Sequence, residues 1–306
     1  MDKGFTYHPA AALAALLAVA LFFAAPARAE ITPNPNGILV TDAELLDLAM
    51  SGDAWTHLLA NANETSGTNC AGQTSLDLWD ISADDDVCTL AKALAGRRLL
   101  LANASDPNGL GFEDDVETRI AAVTDELEAL AGTESLEALN RNLGAYVLAA
   151  DTMRLTGTLK SEFQAALVDA MDTELSDTRG GNVTLRAMAL KDTTNWGSSA
   201  RASALAAFLY IGGETGVAGA GEIYEAHLRW LGETATYQGF TDEWTSTTDW
   251  FGTSDPNAMF GVNPTGRTQG GCNVEDVMPE EIRRATGCGN VPATCADIEN
   301  CDDAQY

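Results

Sequence analysis

Lys191-Asp-Thr-Thr-Asn-Trp-Gly-Ser-Ser-Ala-Arg-Ala-Ser-Ala-Leu-Ala-Ala-Phe-Leu-Tyr-Ile-Gly-Gly213 decides how the rest of the chain is read. Asp192, Thr193 and Thr194 are short polar side chains suited to capping a helix start. An Ala-rich helix follows, and Gly212-Gly213 supplies a stop. Its first turn presents Asn195, Trp196 and Ser198, with Arg201 one turn further on. An amide, an indole and a guanidinium at the positive end of a helix dipole suit a carboxylate or a sugar.

Working outward, the neighbouring segments carry the same period. Thr41-Asp-Ala-Glu44 is a capping box ahead of Leu45, Leu46 and Leu48. Ser51 to Asn63 predicts a helix with Trp55, Leu58 and Leu59 on its apolar side and His57 off it. Asp84-Asp85-Asp86 suits the start of a helix that runs on through Leu90, Leu94 and Leu99. A calcium loop would need alternating oxygen ligands and a closing Glu, which are absent there. Glu113 to Leu130 repeats Val116, Ile120, Val123, Leu127 and Leu130 at helical intervals. Ser135–Leu155, Leu159–Leu175, Val183–Leu190 and Glu222–Leu231 complete the set. No run alternates for long enough to predict a sheet. The expected fold is all-α, a series of paired antiparallel helices over residues 30–236. From residue 237 to 306 the periodicity ends, and aromatics alternate with Gly, Asn, Asp and Pro in an irregular Cys-rich tail.

Residues 1–29 stand apart. Lys3 precedes an apolar run from Ala10 to Ala25, and Ala27-Arg28-Ala29 has the small-x-small form of a signal-peptidase site. The expectation is a cleaved secretory signal and a secreted or periplasmic mature chain, with no stable membrane insertion after cleavage. The six cysteines, Cys70, Cys88, Cys272, Cys288, Cys295 and Cys301, all follow it, which favours disulfides in an exported chain. Fifteen pairings are possible, of which local pairing joins Cys70 to Cys88, Cys272 to Cys288 and Cys295 to Cys301. No Cys-x-x-Cys and no nearby histidine gives zinc spacing, so no metal is expected.

The formal net charge is −28. Losing Lys3 and Arg28 against Asp2 removes one net positive charge, leaving a mature chain near −29 whose only lysines are Lys92, Lys160 and Lys191. Such a surface excludes nucleic acid as a partner, because nothing on it would displace phosphate counterions. High salt would screen its self-repulsion.

Several local patterns coincide along the chain. Ile38-Leu39-Val40-Thr41-Asp42-Ala43-Glu44-Leu45, followed by Ser51-Gly52-Asp53-Ala54-Trp55, resembles the entry of bacterial alginate-lyase-like secreted proteins. Arg141-Asn142-Leu143-Gly144-Ala145-Tyr146-Val147-Leu148-Ala149-Ala150-Asp151 and Thr194-Asn195-Trp196-Gly197 also resemble that family. So do Gly261-Val262-Asn263-Pro264 and Val274-Glu275-Asp276-Val277-Met278-Pro279-Glu280-Glu281-Ile282-Arg283-Arg284. The resemblance implies an α/α toroid framing a sugar cleft, incomplete here, and β-elimination on a uronate-containing polysaccharide without a cofactor. It departs from the better-known lyases at Trp196, where they place a histidine after the asparagine.

That chemistry removes the proton beside a carboxylate and protonates the leaving O4, so the carboxylate charge must be neutralised. Asn195 and Arg201 are the residue types for this neutralising role. The proton transfers suit a tyrosine whose pKa a neighbouring cation lowers. Tyr146, Tyr210, Tyr224 and Tyr237 are available, with Tyr146 preferred because Arg141 precedes it. Trp196, Trp244 and Trp250 could stack on sugar rings, and Asn263 lies in a resembling loop. Two other functions fit the same scaffold. One is a non-catalytic carbohydrate-binding or surface protein. The other is a glycoside hydrolase, which would need two carboxylates from among Asp151, Asp192 and Asp249 facing one cleft. Beside all of these, Asn195 as a cap, Trp196 as core and Tyr146 as a core tyrosine need no ligand at all.

Overall fold

The computed structural model describes residues 37–68, 70–71, 78–80, 84–177, 181–192, 195–230, 268–269 and 272–273. In chain order the elements are α1 (Asp42–Asp47), α2 (Asp53–Ala62), α3 (Asp85–Ala102), α4 (Pro107–Glu128), α5 (Leu136–Thr152) and α6 (Gly157–Asp172). They continue with β1 (Glu174–Ser176), β2 (Asn182–Thr184), α7 (Leu185–Lys191), α8 (Asn195–Ile211) and α9 (Gly213–Trp230). Two-residue strands β3 (Thr268–Gln269) and β4 (Cys272–Asn273) pair antiparallel. The described residues are mostly helical, as the apolar period requires.

Local chemistry sets the helix ends. The Thr41–Glu44 capping box opens α1, with each side chain answering the other's backbone. Asp106 accepts from the Asn108 and Gly109 amides, and Pro107 occupies the first turn of α4. Ser135 accepts from the Ala138 amide at the start of α5. Between α8 and α9 only Gly212 intervenes, and Gly212 and Gly213 both take positive φ. A residue with a Cβ would be strained at either position.

Two antiparallel hairpins result, α3 with α4 and α8 with α9, while α6 packs on α4 and α8 and not on α5 before it. Asp85 meets Arg119 while Gly109 meets Leu100, so α4 runs back along α3. Helices α3, α5 and α8 lie side by side with α5 in the middle, and α3 and α5 point the same way. Tyr146 of α5 reaches Asp85 near the start of α3, and Met153 beyond α5 reaches Gly96 near its end. Ser203 of α8 meets Asn140 and Gly144 of α5. One core runs through these helices, with Val116, Ile120, Val123 and Leu127 from α4, Leu143 and Val147 from α5, and Phe163, Leu167 and Met171 from α6. Ala200, Ala204 and Ala207 from α8 complete it, allowing close helix approach. A smaller cluster joins Ala62, Ala95 and Phe112 under Trp55, Leu58 and Leu59.

Two differences from the sequence reading have physical causes. The α9 helix begins at Gly213, nine residues ahead of the expected Glu222. Its glycines lower intrinsic helix propensity, but a Cβ at Gly219 would stand 2.3 Å from the Phe208 ring and one at Gly216 would stand 2.4 Å from the Phe208 carbonyl. Packing against α8 therefore demands glycine where propensity disfavours it. The hairpin β1–β2 was also unexpected: its strands are three residues each, too short for alternation to register.

Of the expected disulfides, Cys70–Cys88 is formed with a Cα separation of 5.5 Å. Both cysteines are buried. Pairing of the four later cysteines lies outside the described side chains. Among the described residues, no helix is long and apolar enough to cross a membrane. The signal segment, residues 1–29, lies outside the described residues.

Candidate functional site

The turn that delivers Asn195 is built from the end of α7 and the second turn of α8. Asp192 caps α7, its amide donating to the Met188 carbonyl. The Arg201 guanidinium, only 3% exposed, donates from Nη1 and Nη2 to the Asp192 carbonyl at 2.9 and 3.0 Å. A cation against the carbonyl end of a helix offsets its partial negative charge. Gly197 closes the turn: a Cβ there would lie 2.1 Å from the Asp192 carbonyl oxygen. Trp196 is half-buried and packs on the main core. Asn195 is the first residue of α8, and its side chain lies outside the described residues.

Arg201 therefore corrects the expectation of a guanidinium facing a substrate carboxylate. It is buried and donates to the backbone carbonyl of Asp192. Tyr146 corrects a second expectation. Its hydroxyl donates to Asp85 Oδ2 at 2.7 Å, and the ring is 1% exposed. Burial first, and then the Asp85 charge, push its pKa above the ordinary tyrosine value, opposite to the lowering a tyrosine base needs. Arg141 is exposed on α5. Five residues along a helix set it about 140° around the axis from Tyr146, so the two are not a pair.

Tyr210 is also buried, and burial raises its pKa. Tyr224 is half-buried on α9, which runs back along α8 towards Asn195. Asp151 accepts the Ile38 amide at 2.7 Å and pairs with Arg154, while Asp192 is buried. Trp244, Trp250, Asn263, Tyr237 and Asp249 lie outside the described residues.

The sequence pattern did not disclose the ionic layer around the start of α3. Arg119 bridges Asp85 and Glu64, and Lys92 lies 3.5 Å from Glu64 and 3.1 Å from Asp115. Lys92 also donates to the Ala62 carbonyl at 2.9 Å, tying α2 to α3. Asp84, Asp85 and Asp86 had been read as dipole-capping residues. Asp84 makes no side-chain cap, and Asp85 and Asp86 are buried instead. The available signal was Lys92 and Arg119 themselves, two scarce cations set among the apolar positions of their helices. Burial is the first cause raising both aspartates, with Asp86 pushed up to about 6.

A groove of about 500 Å³ lies between the ends of α4 and α6, lined by Leu127, Leu130, Val168 and acidic Glu128, Asp169 and Asp172. None of the residues singled out from the sequence lines it. Among the described residues no cluster has metal-ligand geometry. No family model, curated protein or solved structure matches this chain.

Proposed function

We propose that this chain is an exported, polysaccharide lyase-like protein that engages a uronate-containing polysaccharide of the alginate kind at the Asn195 end of α8. The α3–α4 and α8–α9 hairpins, with α5 packed between α3 and α8, support reading the scaffold as part of an α/α toroid. The observation that carries the site is the clamp of Arg201 on Asp192, with Gly197 fitted beneath it. It ties α8 to the end of α7 close to Asn195 and Trp196.

In this reading Asn195 faces the substrate carboxylate, Trp196 supports a sugar ring, and Arg201 acts through the turn. β-Elimination takes the C5 proton, forms the C4–C5 double bond and breaks the C4–O4 bond, the departing O4 accepting a proton. With Tyr146 and Tyr210 closed in the core, Tyr224 and Tyr237 are the tyrosines left to exchange protons. Incubating the mature chain with alginate and other uronates, and following ultraviolet absorbance of unsaturated uronic ends, tests this. Asn195→Ala is expected to lower turnover by about 100-fold or more, the usual loss on removing one charge-stabilising donor. No unsaturated product on any uronate would sink the lyase reading.

A second reading, a non-catalytic carbohydrate-binding protein on the same scaffold, draws on one observation. The Tyr146 hydroxyl and the Arg201 guanidinium are both committed to internal partners. Retained uronate binding, weakened by Trp196→Ala and unaccompanied by new absorbance, would select it. Reducing ends released without that absorbance would select a glycoside hydrolase.

A further inference from the structure

The arm that leads into α1 meets the end of α5 through polar contacts. The Ile38 amide donates to Asp151 Oδ2 at 2.7 Å. Arg154, just past α5 at a left-handed φ of 58°, donates to the Asp151 carbonyl at 2.8 Å and to its carboxylate at 3.2 Å. Its Nη2 also lies 3.4 Å from the Val40 carbonyl and 3.4 Å from the Asp42 carboxylate. Arg97 of α3 holds that same carboxylate by two bonds, from Nε at 3.1 Å and from Nη2 at 2.5 Å. Two guanidiniums from different elements thus converge on one carboxylate. A bidentate fork of this kind is how arginine recognises carboxylates in general.

Apolar packing adds little to the arm's hold. Leu45 is buried and Ile38 packs partly on the core. Leu39, Leu46, Leu48 and Met50, by contrast, are all exposed. The side chains of Arg97, Arg154 and Asp42 keep 22%, 25% and 38% of their surface in solvent, and ion pairs so exposed hold weakly. With Asp42 withdrawn, Arg97 and Arg154 outnumber Asp151 by one charge, in a chain whose net charge is −28. Such a spot draws an anion that the rest of the surface repels.

We propose that Arg97 and Arg154 form a site for a uronate carboxylate, which the arm closes by seating Asp42 in it. The proposal rests on reading the ligand as a uronate-containing polysaccharide, and it adds a subsite apart from Asn195. A uronate carries the groups that the arm supplies. Its carboxylate takes the place of Asp42, and a ring hydroxyl donates to Asp151 in place of the Ile38 amide. The Asp151 charge acts on Tyr210, in the last turn of α8, so this subsite lies at the opposite end of that helix from Asn195.

Calorimetric binding of an alginate oligosaccharide to the mature chain tests this. Asp42→Ala is expected to tighten binding about tenfold, the gain when a site otherwise open in about a tenth of the molecules is freed. Adding Arg97→Gln should remove that gain, and adding Asn195→Ala should leave it in place. No gain in Asp42→Ala, a gain that survives Arg97→Gln, or one that vanishes with Asn195→Ala would overturn the proposal. Unsaturated product without the gain would leave the lyase reading standing and sink this one; the gain without product would do the reverse. Should Asp42→Ala fail to fold, amide exchange in the wild type decides. Saturating oligosaccharide is expected to lower protection of the Leu45 and Leu48 amides, which bond within α1 and its cap, about tenfold. Unchanged protection at saturation would overturn the proposal.

Discussion

Tyr146 carries more structure than its ring size suggests. Tyr146→Phe would leave the buried Asp85 carboxylate short of a donor, and the expected cost is about 1–3 kcal/mol in denaturant unfolding. A catalytic tyrosine would instead lose turnover at unchanged stability, so measuring both assigns its role. Gly197→Ala must push the new methyl into the Asp192 carbonyl. It should displace the turn, with loss of uronate binding exceeding loss of stability if Asn195 and Trp196 form the site. Residue identity was readable in the sequence where one backbone rule decided it, as at the Thr41–Glu44 box. It was not readable for Asp85, whose partners Arg119 and Tyr146 come from other helices. Likewise nothing local to Arg201 says that its guanidinium turns inward to a carbonyl nine residues back.

Elements here are short of propensity and rich in fit. Phe208 of α8 lies over Gly216 and Gly219 of α9, so Gly219→Ala should cost about 1–3 kcal/mol although alanine is the better helix former. A stability gain from Gly219→Ala would show that the two helices do not approach this closely. The disulfide acts on a different element, the 63–84 connection. Cys70→Ser with Cys88→Ser opens an 18-residue loop and should lower unfolding free energy by about 3 kcal/mol on the chain-entropy view. A difference below about 0.5 kcal/mol would mean that the ionic layer alone fixes the segment. The sequence showed α4 and α6 clearly because their buried residues keep strict helical spacing. It concealed the first half of α9, where glycine serves a neighbour and not its own helix.

The whole molecule carries a net charge of −28 with 17 cationic side chains, among them Lys92, which is buried against Glu64 and Asp115. Its surface is therefore self-repelling, and salt should relieve that. Raising sodium chloride from about 0.1 to about 1 M is expected to lift the melting temperature by roughly 2–4 °C, equivalent to about 1 kcal/mol. A fall would mean that screened ion pairs such as Asp42–Arg97 outweigh the general repulsion. The all-α class was legible because it rests on period. A pocketed site was less so, since which polar side chains face inward depends on contacts between distant turns.

The N-terminal arm has a consequence for how the molecule comes together. The α3–α4 and α8–α9 hairpins are each joined by a few residues and can close as soon as their own two helices exist, which favours quick, local folding. The arm is different: the Ile38 amide finds its partner in Asp151, 113 residues later, and Asp42 lies against Arg154. These two contacts thus wait until α5 is complete, although Asp42 can meet Arg97 of α3 earlier. Until then the start of the arm stays available to whatever machinery handles the chain's leading end.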